Sequence, residues 1–355
     1  MKKLSVCVLF GGISPEHEVS LRSAEYVLKT LDKDKYNVFP VGITKEGDWI
    51  LFGGDDYSML PSGAWKSHPN NRPAAISPVR GQGLLSFESE CVVRERIDVV
   101  YPVLHGENGE DGAMQGLLQM AGIPYVGPHV AASAVSMDKT LTKLVVDHAG
   151  VPQAAWQLVR SSELDNHMEN TLDILENRFR YPMFVKPAGT GSSVGVSKAA
   201  DREKLKQALL SAAKFDKKIL VEEFIHGREI EVAVMGNENP VASICGEIDS
   251  GADFYDYDAK YITDTSTAYI PARIPEDIGE IVREAAVKVY TAIGCQGLSR
   301  VDFFVTYEEK RVVFNEINTL PGFTSISMYP KLFAASGIPG GELIDKLLEL
   351  ALEAK

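Results

Sequence analysis

Apolar strands, glycine-closed turns and amphipathic helices follow one another along the first part of the chain, and this alternation constrains the fold more than any other feature. The run LSVCVLF at residues 4–10 ends in Gly11 and Gly12. After the loop GGISPEHEVS comes a helix near residues 15–31, with Ser14 as N-cap and Pro15 at the first helical position, where a missing N–H costs nothing. YNVFPVGIT and, beyond a polar Gly/Pro/Ser-rich region, IDVVYPVL supply further strands, and AMQGLLQMAG with IPYVG closes the unit near residue 128. Such alternation predicts an α/β class with a parallel sheet flanked by helices, a Rossmann-like domain over residues 1–128.

Two more α/β units are expected, the last with α+β character. Residues 129–225 hold the helix MDKTLTKLVVDHAG, stopped by Gly150 and Pro152, then the strand PMFVKPA, the glycine loop GTGSSVGVS, a helix and the strand KILVEEFI. Residues 226–355 run from REIEVAVMG through a long loop near 246–269 to the helix PEDIGEIVREAAVKVYTAIG, the strands LSRVDFFVT and RVVFNEIN, and a terminal helix.

At 355 residues, with 45% hydrophobic and 24% charged side chains, the chain is long enough for two or three soluble domains. A formal net charge of −13 argues against nucleic-acid or anionic-membrane partners, which need a basic surface. Any phosphate must therefore be handled by a few local cations or metal ions. Cys7, Cys91, Cys245 and Cys295 lie far apart without metal-finger spacing, as expected for reduced thiols of a cytosolic protein. The opening MKKLSVCVLFGG imitates a signal peptide, but its apolar run is short and lacks a small-residue cleavage site. No run approaches the roughly 18 apolar residues of a membrane span.

Four stretches carry chemistry. FGGISPE lacks the G-x-G-x-x-G spacing of a dinucleotide site, which argues against a nicotinamide cofactor; Glu16 and His17 at a helix start suit a small zwitterion instead. In KPAGTGSSVGVS, Gly189, Gly191 and Gly195 with Ser192 and Ser193 let backbone N–H groups converge on a phosphate, and Lys186 supplies charge; the P-loop pattern is not met, so a flap over phosphates is preferred. In ILVEEFIHGREIEVAV, Glu222, Glu223 and Glu229 at a strand end could serve an adenine amino group and ribose hydroxyls, or form a solvated turn.

The fourth is FNEINTLPGFTSISMYP, where an acid and an amide interrupt an apolar strand before a Pro-Gly turn. Glu316 and Asn318 share one strand face, as do Arg300 and Asp302 in SRVDFFV. If those strands pair, two carboxylates, an amide and an arginine meet on one patch, a hard-oxygen set suited to Mg²⁺ with positions left open for nucleotide oxygens.

These segments, with GGISPEHEVSLRSA, PVLHGENGEDGAMQG, MDKTLTK and FYDYDAKY, occur in order over nearly the whole chain and resemble the D-alanine-D-alanine ligases of the three-domain ATP-grasp superfamily. The resemblance implies an ATP-dependent ligase that joins two D-alanines through an acyl phosphate for peptidoglycan precursors. It implies Lys139 and Lys186 on ATP phosphates, Ser192 and Ser193 in the phosphate flap, and Lys260 at the γ-phosphate. Glu222, Glu223, Phe224 and Ile225 would line the adenine pocket, with Glu229 on the ribose. Asp302, Glu316 and Asn318 would hold two Mg²⁺ ions, for which Mn²⁺ can substitute. Glu16, supported by Ser192 and Tyr261, would bind the first ammonium, with His105 close by. Arg300 and the Gly322 N–H would stabilise the oxyanion, and Ser327 would hold the second carboxylate. Tyr261 and the apolar Met328 point to D-alanine as acceptor, D-serine or D-lactate being the alternatives. A cytoplasmic homodimer with no nucleic-acid or membrane partner is the expected form.

Overall fold

The computed structural model describes residues 3–191, 194–249 and 267–354. Ser192, Ser193, Lys260 and Tyr261 lie outside the described residues.

The first sheet contains β1 (Leu4–Gly11), β2 (Tyr36–Ile43), β3 (Trp49–Leu51), β4 (Arg72–Ile76), β5 (Leu84–Phe87), β6 (Val92–Glu95) and β7 (Val99–Leu104), in the order β6-β5-β4-β3-β2-β1-β7. Strand β1 pairs in parallel with β2 and β7. Its unbroken apolar run has a simple cause: Val6, Val8 and Phe10 enter one core while Cys7 and Leu9 enter another. Helix α1 (His17–Thr30) covers the first face with Leu21, Ala24, Val27 and Leu28, and α2 (Ala113–Ala121) covers the second with Met114 and Leu118. The polar region after β2 extends this parallel centre with antiparallel strands, β3 on β2 and onward to β6.

Helices α3 (Val130–Met137) and α4 (Lys139–His148) lead to the second sheet. Their junction is Asp138, whose carboxylate accepts from the Thr140 and Leu141 N–H groups and starts α4 there. Strands β8 (Trp156–Arg160), β9 (Met183–Pro187), β10 (Ser197–Ala199) and β11 (Lys218–Glu223) form an antiparallel sheet in the order β10-β9-β11-β8. Helices α5 (Ser161–Arg178) and α6 (Arg202–Ala212) cover one face, where Leu172, Leu175, Leu205 and Leu209 share a core with Met183, Val185, Ile219 and Val221. Strand alternation then puts Phe184 and Lys186 on the opposite face.

The third sheet, β15-β14-β12-β16-β17 with β13 added to β12, consists of β12 (Gly227–Met235), β13 (Val241–Ala242), β14 (Gly246–Asp249), β15 (Thr267–Tyr269), β16 (Leu298–Thr306) and β17 (Val312–Asn318). Helix α7 (Glu276–Ile293) packs Val282, Ala286, Val289 and Tyr290 against Ile230, Val232, Val301 and Phe303. The last helices, α8 (Met328–Ala335) and α9 (Gly340–Glu353), join the core of the first sheet through Tyr329, Leu343 and Leu347. The Tyr36 hydroxyl donates to Asp345 at 2.7 Å, tying α9 to β2. Among the described residues no helix is long and apolar enough to cross a membrane.

Candidate active site

The open face of the second sheet and residues of the third bound a cavity of about 300 Å³. Phe184, Lys186, Glu222 and Glu223 line it from one side, Glu229, Glu316 and Asn318 from the other, with Lys139, Thr190 and Gly191 among the remaining lining residues.

A buried acid on its wall, Glu222, is shared by two lysines. Glu222 Oε1 lies 2.5 Å from Lys143 Nζ, and Oε2 lies 2.6 Å from Lys186 Nζ. Burial pushes the Glu222 carboxyl up, but the two ammonium groups outweigh it and hold the group at about 2. For Lys186 burial is likewise outweighed, here by the Glu222 carboxylate, and its pKa is raised; for Lys143 burial wins and its pKa is lowered. Lys139 Nζ donates to the Thr190 carbonyl at 2.5 Å, beside the glycine loop. Phe224 stacks on Phe184 with ring centroids 5.9 Å apart, and Lys198 Nζ stands 4.8 Å over the Phe224 ring. Ile225 also lines the cavity, and Glu223 accepts from the Ala155 N–H at 2.8 Å.

On the third sheet, β16 and β17 pair in the register expected from their faces. Asp302 is opposite Glu316 and Arg300 opposite Asn318, with a bulge just beyond Asp302. Arg300 forks onto Asp302, Nε to Oδ1 at 2.8 Å and Nη2 to Oδ2 at 2.7 Å, and Asn318 Nδ2 donates to Asp302 Oδ2 at 3.0 Å. Glu231, across β12 from Asp302, approaches Arg300 Nε at 3.2 Å. Burial works against the Arg300 charge, but Asp302 and Glu231 outweigh it, and the guanidinium stays cationic.

The other end is built where the loop after β7 meets the turn after β17. His105 Nδ1 donates to the Leu320 carbonyl at 2.9 Å, which leaves Nε2 to accept from Ser23 Oγ at 3.2 Å. Ser23 Oγ in turn accepts from the Phe323 N–H at 3.2 Å. Glu110 accepts from the Gly106 N–H at 2.8 Å and the Leu320 N–H at 3.0 Å; burial, reinforced by the Glu16 charge, pushes its carboxyl up to about 8. Ser327 Oγ accepts from the Thr324 N–H at 3.0 Å and lies 3.0 Å from where a Cβ on Gly322 would stand. Met328 is buried in the core with Leu332, and its Cε would come within 2.3 Å of a Cβ on Gly246.

Glu16 lies where two glycine loops converge. A Cβ on Gly106 would fall 2.5 Å from Glu16 Oε2 and 2.6 Å from Ser14 Oγ, and one on Gly191 would fall 2.9 Å from Glu16 Oε2. Gly106 also has φ +69°, a conformation that favours glycine. Gly106→Ala is therefore expected to displace Glu16; if Glu16 receives the ammonium of the first amino acid, as the resemblance implies, KM for that substrate should rise about tenfold or more, through about 1.4 kcal/mol of lost positioning, with KM for ATP little changed. Initial rates against each substrate check this; equal effects on both would contradict it.

Lys143, Glu110, Glu231 and Ser23 were not singled out from the sequence. Lys143 stands one turn after Lys139 in MDKTLTK and Glu110 lies within HGENGEDG, so both were within quoted motifs. Glu231 lies within ILVEEFIHGREIEVAV and Ser23 within GGISPEHEVSLRSA, but neither is marked out there by spacing or residue type.

An antiparallel sheet bearing a buried glutamate paired with lysines, set across a cavity from a sheet bearing an arginine–acid cluster, is the layout of the ATP-grasp fold. The D-ala D-ala ligase N-terminus family matches residues 5–128, and the D-ala D-ala ligase C-terminus family matches residues 145–349. A D-alanine–D-alanine ligase of Acetivibrio thermocellus is 50% identical over 363 residues, covering 99% of this chain and 96% of its own. Among solved structures, the VanG D-Ala:D-Ser ligase from Enterococcus faecalis superposes with TM-score 0.90 at 36% identity, over 99% of this chain and 100% of its own. The D-alanine–D-alanine ligase from Coxiella burnetii superposes with TM-score 0.86 at 36% identity, over 100% and 95%. The chain belongs to the D-alanine–D-alanine ligase family.

Proposed function

We propose that the protein joins two D-alanines at the expense of ATP, forming D-alanyl-D-alanine for peptidoglycan precursors. One observation carries this reading: Lys139 and Lys186 border the same cavity as Glu316 and Asn318, which sit beside the Arg300–Asp302 pair. A carboxylate resists attack by an amine, so the first D-alanine needs phosphoryl transfer to its carboxylate before the second amine attacks and phosphate leaves.

Most of the catalysis then falls to positioning and charge neutralisation. Lys139, Lys186 and Lys260 balance phosphate charge, under the loop of Ser192 and Ser193. Glu222, Glu223, Phe224 and Ile225 face adenine, and Glu229 the ribose. Glu16, with Ser192 and Tyr261, receives the first ammonium. His105 acts at this end by holding the turn at Leu320. Arg300 and the Gly322 N–H take the oxyanion, and Ser327 takes the second carboxylate.

Asp302, Glu316 and Asn318 would hold two Mg²⁺ ions, or Mn²⁺ in their place. The donors fit, being hard oxygens, and two carboxylates with one amide fall short of a full shell, which leaves room for nucleotide oxygens. Among the described residues no group of three or more His, Cys, Asp or Glu is placed to hold a metal ion. Bound Mg²⁺ would offset charge on the transferring phosphoryl group.

Residues 1–128, 129–225 and 226–355 are proposed as three domains, the last with its lid segment about 246–269, in a cytoplasmic homodimer. The likeness to a D-Ala:D-Ser ligase keeps D-serine as a second acceptor. Met328, packed in the core beside Ser327, brings no charge to the acceptor turn and favours D-alanine. Product analysis with ATP, Mg²⁺ and D-alanine, alone and with D-serine or D-lactate, tests the reading. D-Ala-D-Ala as the dominant product supports it, a mixed product overturns the acceptor, and no ADP under any condition overturns the ligase.

A further inference from the structure

We infer that Lys143 is a positioning residue of the nucleotide site: as the standing counter-ion of Glu222, it lets Lys186 turn its charge toward the nucleotide phosphates. The inference rests on the ATP reading above and assigns a role to a lysine that would not itself touch the nucleotide.

The geometry separates the two lysines. Both reach Glu222, through different carboxylate oxygens, at 2.5 and 2.6 Å. Lys186 and Glu222 line the cavity, whereas Lys143 is not among the lining residues, and its side chain is only 2% exposed against 15% for Lys186. Glu222 thus has one cation in front, toward the cavity, and one behind. Lys186 Nζ also stands 3.4 Å from Asn315 Oδ1 on the third sheet, so its ammonium already lies between the two walls.

Lys143 is fixed from the other direction. Helix α4 begins at the Asp138 cap, and its first turn aims Lys139 at the glycine loop. One turn later the same helix face presents Lys143 to Glu222. The Lys143 carbonyl accepts from Gln153 Nε2 at 2.8 Å. One helix therefore gives a cation to the cavity and a second to the buried acid behind it.

The energetic consequence is direct. A buried carboxylate stripped of its counter-ion is heavily penalised. If Lys186 were the sole partner of Glu222, phosphates and Glu222 would compete for one ammonium. With Lys143 in place the carboxylate keeps a partner while Lys186 serves the ligand. An uncharged nucleoside makes no demand on Lys186, so Lys143 should matter for ATP and not for adenosine.

The test compares Kd for Mg²⁺–ATP and for adenosine by calorimetry on the full-length protein, with thermal unfolding as a control for folding. In Lys143→Met the preference for ATP over adenosine is expected to shrink at least about tenfold. Adding Glu222→Gln removes the acid that needs the counter-ion, and the preference should return to within about threefold of the wild-type ratio. Loss of adenine contacts in that double variant affects both ligands and cancels in the ratio. Equal weakening of both ligands by Lys143→Met, with no recovery in the double variant, would show a packing role and overturn the inference. Should Lys143→Met not fold, Lys143→Gln takes its place in the same comparison, with the same shrinkage of the ratio expected and an unchanged ratio overturning the inference. A wild-type protein with no preference for ATP over adenosine would overturn the nucleotide reading itself.

Discussion

Glu316→Ala is expected to lower kcat by about a thousandfold or more while leaving the unfolding transition nearly unchanged. Glu316 is partly exposed on the cavity wall, opposite Asp302 in the β16–β17 ladder. Its removal opens no cavity in the core, where Phe314 and Ile317 carry the packing of this strand. What is lost is one of the two carboxylates proposed to carry Mg²⁺. Asp302, shared with Arg300 and Asn318, is then the one carboxylate left for two ions. Single-turnover ADP release, with urea unfolding as the control, checks this. Retained turnover would refute the metal assignment.

Glu222→Ala should act in the opposite sense, with stability affected first. It leaves Lys143 buried without the carboxylate 2.5 Å away and removes the same partner from Lys186. Breaking a buried ion pair by deleting one member costs roughly 3–5 kcal/mol, mostly the penalty of the stranded charge. Urea midpoints for wild type and variant would show it.

The pH dependence carries the same signature. The folded-state pKa of Glu222, about 2, lies below its ordinary 4.5, so the stabilisation it contributes is fully present above 4.5 and is lost as pH falls toward 2. That part of the acid slope should vanish in the variant. An unchanged slope would mean that Glu222 does not carry the charge assigned to it.

Much of this site is written in local pattern. The period of two in SRVDFFV and FNEIN places Arg300 with Asp302 and Glu316 with Asn318 on single faces, and β16 and β17 do pair so that the four side chains meet. The Asp138 cap was less visible: MDKTLTKLVVDHAG reads as a helix from Met137 onward, but the extended Asp138 backbone ends α3 and its carboxylate starts α4. The strands β3 to β6 come from a region where polar and turn residues break the apolar runs into short pieces such as WILF, AAI and LLSF. They are short, and although β6 alternates exposed and half-buried positions, its residues Val92, Val93, Arg94 and Glu95 do not alternate apolar with polar.

By itself the sequence determined which residues share a face, where the glycine turns fall, and the order of motifs that marks the family. Only the tertiary structure decided which charge meets which. Glu110 reaches the Leu320 N–H across 210 residues, and Lys143 meets Glu222 from a helix outside the sheet that carries it. Periodicity reports the burial of a side chain relative to its own element. A partner is set by how separate elements pack, and the low dielectric of that packed interior makes each pairing, or its loss, count.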